Sequence, residues 1–426
     1  MSSAFSRVIA RLPRGPIARA TVRTSAVLGL RLLAQAGTLL IVARLLGPRQ
    51  FGAFAGIAAL AVMLGTLSTF GTHLVLLREV SRAPERRAAV LPFALSTTLL
   101  CGLLLLGLYL LVTLALLREA GVAADVLLAI GSAELLLQPL LNLPAVEHQG
   151  HGRIATSQLL LVLPMGLRLA AALAVWWLHP ADPLHAYALG YLLASAVALA
   201  VAVATLREVW PAPRDWRLPQ LADLRDAAGY AVLNLTAAGP AELDKTLALK
   251  LLPLAAAGVY AAGARVIGAL TLPVIALMLS ALPRLFRETE TGPARSGRLL
   301  RGLFAAALAY SLLLAGVLWL AAPLFDLLFG PHYRGIDSTI RWLTLAVPGM
   351  ALRIAAGGAL MALGRPWMRV SFEVVGLLVL TAAALLLARV LGMAGMPIAL
   401  ACSEWTMAFI GGLMLMIGRR TRNMTP

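Results

Sequence analysis

The stretch Arg44-Leu45-Leu46-Gly47-Pro48-Arg49-Gln50-Phe51-Gly52-Ala53-Phe54-Ala55 decides how this chain folds, because it returns 206 residues later. Arg44-Leu45-Leu46 falls on Lys250-Leu251-Leu252, and Gly52-Ala53-Phe54-Ala55 falls on Gly258-Val259-Tyr260-Ala261 without a gap. The same register carries Leu76-Leu77-Arg78 onto Leu282-Pro283-Arg284. A chain that repeats itself once is built from two similar halves. Inside a membrane, two such halves can rock about a site held between them, which is the design of many transporters.

The composition places the repeat in a membrane. Hydrophobic residues make up 60% of the chain and charged residues 13%, against roughly 45–50% apolar in a soluble domain, and the mean hydropathy is +0.87. The apolar runs recur along the whole chain, which excludes a soluble protein with one anchor. A net charge of +17 would suggest nucleic acid for a soluble domain. Here the arginines sit between apolar runs, so membrane lipids are the partner and nucleic acid is not.

Twelve spans follow, each near the roughly 20 residues a hydrocarbon core requires. They cover about 25–46, 52–77, 90–117, 124–146, 154–177, 185–206, 228–252, 256–283, 302–322, 339–363, 367–391 and 394–418. Residues 99–117 of the third contain no charge. The fourth and tenth carry Pro139, Pro144 and Pro348 in polar company, which a lipid-facing helix would not keep. The fold class is therefore all-α integral membrane, with two six-helix lobes. Six spans is an even number, so both halves enter the bilayer the same way, and the repeat is parallel with a pseudo-two-fold along the membrane normal.

With the N-terminus in the cytoplasm, 24 of the 36 lysines and arginines lie on the cytoplasmic side, seven outside and five within spans. That bias orients a multi-pass protein of the cytoplasmic (inner) cell membrane with both termini inside. The organisation expected is a basic flank at 1–24, a first lobe at 25–206, a linker at 207–227, a second lobe at 228–418 and a tail at 419–426. The linker, with Trp210, Pro211, Pro213, Trp216 and Pro219, should end in a short amphipathic helix. The flank shares its chemistry with transit peptides, but it reads as the positive-inside flank of the first span.

Several chemistries are absent. Cys101 and Cys402 both lie within apolar spans, which leaves neither a disulfide framework nor a thiolate metal cage. Glu147, His148 and His151 have spacing that can ligate a metal, but residues at a helix end on the cytoplasmic side should be solvated. Lys245 and Lys250 are the only lysines and neither follows a glycine, so no Walker A loop exists and no cofactor is implied.

What remains are charges inside spans, each costing about 2.5 to 3.5 kcal/mol on insertion scales. Arg31, Gln35 and Thr38 share one face of the first span, and Glu134, Gln138 and Asn142 one face of the fourth. The seventh has Asn234, Glu242, Asp244 and Lys245, and the eighth has Arg265. Arg168, Arg353, Glu373 and Glu404 lie singly in their spans and read equally well as members of interhelical ion pairs. Glu242 and Lys245, three apart, can satisfy each other. Arg31 and Arg265 have no local carboxylate, and a dry guanidinium without a partner suits a phosphate.

The run Ala43 to Phe54 resembles the signature after the first helix in polysaccharide exporters of the multidrug/oligosaccharidyl-lipid/polysaccharide flippase superfamily. Leu77-Arg78-Glu79-Val80-Ser81-Arg82, Leu243-Asp244-Lys245, Gly258-Val259-Tyr260-Ala261-Ala262-Gly263-Ala264-Arg265, Leu328-Phe329-Gly330 and Leu363-Gly364-Arg365-Pro366 follow in the family's order. The resemblance implies a transporter, not an enzyme, that flips a polyprenyl-pyrophosphate-linked oligosaccharide by alternating access. Among the intramembrane charges, Arg31, Arg265, Arg353 and Lys245 are the candidate ligands of the anionic head, and Glu134, Glu242 and Asp244 are either sites for a coupling proton or sodium ion or static partners of the arginines. Glycan polymerases or glycosyltransferases of the same pathway would be its partners. Peptidoglycan-precursor flippases resemble the chain at Arg265 and roughly at Arg31 but usually carry fourteen helices. A cation-coupled multidrug antiporter is the alternative, and it would need an acidic cavity. A membrane glycosyltransferase would need a larger external loop than residues 325–339 provide.

Overall fold

The computed structural model of the chain describes residues 16–207, 210–275, 277–278 and 293–422. The flank before residue 16, the end of the eighth expected span with Leu282-Pro283-Arg284, and the tail after residue 422 lie outside the described residues. Among the described residues the chain is helical and has no strand.

Among the described residues nine stretches are long and apolar enough to cross a bilayer, and two of them are double. Residues 29–68 turn back at Gly47, whose φ of 64° and ψ of 169° suit glycine. Pro48 then opens the second helix, where its missing N–H costs nothing. Pro366–Ile417 turns back through the tight turn Gly392–Ala394. The helix Leu221–Leu251 has 31 residues, about 46 Å at the α-helical rise, and its buried Asp244 and Lys245 depress its hydropathy without shortening it. It completes the twelve passes. The others are Arg87–Leu116, Ala124–Gly150, Ile154–Leu178, Pro183–Ala204, Leu254–Leu270, Pro293–Phe329 and Ile336–Ala362, the third to sixth and the eighth to tenth.

Local chemistry starts and breaks these helices. Asp182 caps the sixth pass, its Oδ1 accepting from the backbone N–H of Leu184 at 3.1 Å and of His185 at 3.2 Å, with Pro183 at the first helical position. Gln220 and Asp223 form a capping box at the start of the seventh. The short amphipathic helix expected before that pass is instead its first turns, because the box lets one helix run unbroken from the linker into the membrane. The second pass breaks at residues 69–71, with Gly71 at φ 78°, and resumes as Thr72–Arg82. Pro139 has no N–H for the carbonyl of Leu135, and the turn before it, Ala133–Leu137, widens to a π turn. The fourth and tenth passes are interior helices, as their prolines and polar residues required, whereas the third exposes Leu103, Leu104 and Leu111.

The two halves meet in a reciprocal contact. A Cβ added to Gly52 would strike the carbonyl of Leu254 and come within 2.6 Å of the Gly258 nitrogen. One added to Gly258 would strike the carbonyl of Pro48 and come within 3.1 Å of the Gly52 nitrogen. Residues 48 and 254, like 52 and 258, are repeat equivalents, so each half presents the same surface to the other. That is what a two-fold axis imposes, and it passes between these glycines.

On this side of the bundle, called the far side because both described chain ends lie on the other, Arg44 adds a second tie. Its Nε donates to the carbonyl of Leu328 at 2.8 Å and its Nη2 to that of Leu327 at 3.0 Å. These carbonyls end the ninth pass and have no intrahelical partner, and the cation suits the negative end of the helix dipole. The Tyr333 hydroxyl donates to the Ala43 carbonyl at 2.9 Å. On the near side Arg78 donates to Asp226 through Nη1 at 3.3 Å and Nη2 at 2.6 Å, tying the second pass to the start of the seventh. This guanidinium holds the Asp226 carboxyl below the usual carboxylate range.

Candidate functional site

A cavity of about 560 Å³ opens between the halves, walled by the first, second, fourth, fifth and sixth passes and closed by the seventh, eighth and ninth. Its polar side chains are Gln35 and Thr38, Glu134 and Gln138, Arg168, Tyr187 and Tyr191, and from the second half Glu242 and Arg265. Phe51, Phe54 and Phe329 supply apolar surface. The site is lopsided, since most of its wall belongs to the first half.

Its centre is a network on the first half. The Arg168 Nη2 lies 2.8 Å from Glu134 Oε1 and donates to Ser195 Oγ at 2.9 Å, while Nη1 donates to the Tyr191 hydroxyl at 2.7 Å. The Tyr191 hydroxyl in turn donates to the same Glu134 oxygen at 2.5 Å. The guanidinium also lies over the Tyr191 ring, 3.7 Å from its centroid. Phe54 meets Tyr187 and Tyr191 edge-on, at 5.4 and 5.9 Å between centroids, and locks the two tyrosines in place.

Arg265 is different. It faces the cavity from the eighth pass, its Nε is buried without an acceptor, and no carboxylate lies within ion-pair distance among the described residues. Glu242 also faces the cavity with a buried Oε2 lacking a donor, and the nearest cation, Lys245, is 3.8 Å away.

The predicted stripes divide at the cavity wall. Gln35, Thr38, Glu134 and Gln138 reach it, and half-buried Arg31 and Asn142 are not among its lining. Arg353, Lys245 and Asp244 lie elsewhere in the second half. Arg353 Nε donates to Glu404 Oε2 at 2.6 Å. Asp244 accepts from the Tyr260 hydroxyl at 2.8 Å and lies 3.2 Å from the Lys245 ammonium, which also donates to the Ala241 carbonyl. Glu373 pairs with Arg369 at 2.9 Å.

Glu147, His148 and His151 are a correction. Glu147 and His148 are buried rather than solvated. Glu147 accepts from Arg87 at 3.2 Å, His148 bonds to Thr205 at 2.9 Å, and His151 bonds to the Glu147 carbonyl at 2.9 Å. The helix end is packed between the third and sixth passes, which supply these partners. Sequence reasoning also missed Arg168 as a cavity residue, together with Tyr187 and Tyr191. The signal available was their spacing of four, which sets two phenols on one helical face.

Two six-helix lobes with a polar cavity between them are the architecture of an alternating-access transporter. Within that class the sequence profile described as "Polysaccharide biosynthesis protein" matches residues 17–288, well over half the chain, and the chain belongs to that family. Solved structures share the fold. A multidrug resistance MATE family transporter of the MOP superfamily, in an inward-facing conformation, superposes with a TM-score of 0.75 at 17% identity, over 96% of this chain and 100% of that one. The lipid II flippase MurJ, inward closed, gives 0.71 at 10% identity over 93% and 87%. A MOP superfamily transporter from Pyrococcus furiosus Vc1 (DSM3638), whose binding pocket is described as of reverse polarity, gives 0.67 at 16% over 95% and 96%. A search of curated protein sequences finds no match.

Proposed function

We propose that the protein moves a polyprenyl-pyrophosphate-linked oligosaccharide across the cytoplasmic membrane, with both termini in the cytoplasm. The observation that carries this reading is Arg265, a guanidinium facing the cavity with a buried Nε and no acid beside it. A half-buried arginine without an ion-pair partner among the described residues is costly to hold in a membrane span, and its planar fork matches a phosphate oxygen pair. Membership of a polysaccharide biosynthesis family supports a glycan as the cargo. The head of such a lipid is charged and hydrated and cannot cross alone, while its tail is stable in hydrocarbon. A cavity exposed to one side at a time carries the head and leaves the tail in lipid. In the proposed orientation the glycine contact and Arg44 close the outer side of the cavity.

The test is export of lipid-linked glycan in cells carrying Arg265→Ala. Export should fail with the protein still abundant in the membrane, and Arg265→Lys should restore it only in part, because it keeps the charge without the two-pronged geometry. Normal export by the alanine variant would remove the reading. Glu242, with its unsatisfied oxygen, favours a cationic cargo as the second reading. Loss of drug resistance in Glu242→Gln, with glycan export intact, would establish that one instead.

A further inference from the structure

We propose that the Glu134–Arg168 pair is an exchangeable one: the anionic head of the substrate takes Arg168 over from Glu134, and Glu134 then takes up one proton from the cavity water. This rests on the reading of the cargo as an anion.

The pair is built to be opened. Both residues line the cavity, whereas Arg353–Glu404 does not. Arg168 meets only one carboxylate oxygen, and its Nε is buried without an acceptor. The pair is therefore not the parallel two-bond fork in which arginine and carboxylate are strongest. A phosphate or pyrophosphate entering the cavity offers acceptor oxygens for Nε and an Nη together, a better match than the one it replaces. Glu134 also sits on the π turn of the fourth pass, a feature often found at functional sites. The widened turn places its carboxylate against both Arg168 and Tyr191.

Once Arg168 turns to a phosphate, Glu134 is left with the Tyr191 hydroxyl alone. Around it stand Tyr109 of the third pass, Arg168 of the fifth, and Tyr187 and Tyr191 of the sixth. The second pass presents Gly65 there and contributes no titratable group. Arg265 of the eighth pass faces the same cavity beside Tyr187, and with both arginines turned to the phosphate an ionised carboxylate among phenols keeps no cation of its own. Burial and like charge both favour the neutral acid, so a proton from water joins the carboxylate. One proton enters for each anionic head bound, and it leaves when Arg168 returns.

Farnesyl diphosphate, a short polyprenyl pyrophosphate, is the probe, titrated into the purified full-length protein. Between about pH 7.5 and about pH 8.5 its own ionisation is complete, since a terminal phosphate titrates near 6. Uptake of one proton on binding makes the wild-type Kd rise about tenfold over that unit. Glu134→Gln, with no carboxylate to protonate, should show a flat Kd and bind at least as tightly as wild type at the upper pH. Calorimetry in two buffers of different ionisation heat should count about one proton per probe in wild type and none in the variant.

The double variant Glu134→Gln/Arg168→Gln removes both charges of the pair and should bind about tenfold more weakly than Glu134→Gln, as expected when a charged hydrogen-bonding partner is removed. It also serves if the single variant does not fold, since it should then show weak binding with no pH slope. A pH-independent wild type, or a double variant as tight as the single, would overturn the exchange and leave the anionic cargo standing. A wild type that binds no probe would sink both.

Discussion

Adding one methyl group at Gly258 should pry the far side open. The Cβ of Gly258→Ala would strike the Pro48 carbonyl oxygen and lie 2.8 Å from its carbon and 3.1 Å from the Gly52 nitrogen. All of these are backbone atoms, which cannot turn aside as a flexible side chain can. Relief to ordinary contact, 3.4–4 Å, requires the second and eighth passes to part by roughly 1 Å or more. Overpacking in a close-packed region costs typically about 1 to 3 kcal/mol. Because the strain is confined to the closed far side, it shifts the balance between the two facing states rather than unfolding either lobe. At about 1.4 kcal/mol per tenfold, the far-open state gains about 5- to 150-fold.

Thiol labelling reads this directly. Cys101 and Cys402 are first replaced by serine, and a cysteine is placed at Ala43, which is fully buried and whose carbonyl takes the Tyr333 bond. In purified protein this thiol should be protected, and Gly258→Ala should speed its modification by the factor above. Gly316→Ala is the control, because nothing lies within 4 Å of its added Cβ. Equal labelling rates in Gly258→Ala and Gly316→Ala would refute the idea that the glycine pair is the closing contact.

Three further outcomes follow from particular contacts. Arg353→Ala leaves Glu404 wholly buried without its cation and should lower stability by about 3–5 kcal/mol, measured as loss of folded protein on heating; a shift of a degree or two would contradict the pairing. A cysteine at Gln220 should be shielded from impermeant reagents in intact cells and one at Gly335 labelled, and the reverse pattern would overturn the orientation drawn from the arginines. The Arg78–Asp226 tie stabilises the fold at pH values above the ordinary carboxylate range and loses its effect as pH falls through the depressed value of Asp226. Asp226→Asn should therefore weaken near-side closure at neutral pH and reduce its response to acid, leaving the part carried by Glu79, which also accepts from Arg78, and undiminished acid sensitivity in near-side labelling would argue against the tie.

The repeat was legible because it is enforced by touching backbones. Gly52 and Gly258 have to be glycines, and Pro48 and Leu254 have to sit at equal distances from them, so the pattern survives in the letters. The passes were legible by length and hydropathy, except the seventh, where Glu242, Asp244, Lys245 and Lys250 crowd the end of a long helix and length alone marks it. The pairing of charges was not. Helical spacing can reveal partners three or four residues apart, yet Glu373 read as a single charge suited to an interhelical pair, and its partner Arg369 lies one turn away on the same helix; Arg353 and Glu404 are 51 apart in sequence. For the same reason Arg168 read as a single charge in its span, with Glu134 on a different pass. Arg31 shares a helical face with Gln35 and Thr38, yet the face extends past the edge of the cavity, and periodicity alone does not say where a wall ends. Pro139 marked the fourth pass as interior; that it also widens the turn holding Glu134 depends on the hydrogen bond it cannot make.

The symmetry of the chain and the asymmetry of its cavity belong to different tasks. Closing one side of a two-lobed transporter needs a contact that both lobes make alike, and the repeat supplies it at Gly52 and Gly258. Holding a cargo with one charged end needs walls that differ. Phe54 and Tyr260 are repeat equivalents that show the split: Phe54 packs against Tyr187 and Tyr191 at the cavity, whereas Tyr260 is buried and donates its hydroxyl to Asp244 at 2.8 Å. The tyrosine hydroxyl serves the sealed network of Asp244, Lys245 and neighbouring charges in the second half. The phenylalanine, lacking one, leaves Tyr191 to Glu134 and Arg168. Behind the cavity the second half is thereby tied down by paired charges and offers Arg265 and Glu242 singly, while the first half keeps a polar pair at the cavity, where an entering anion can compete for it.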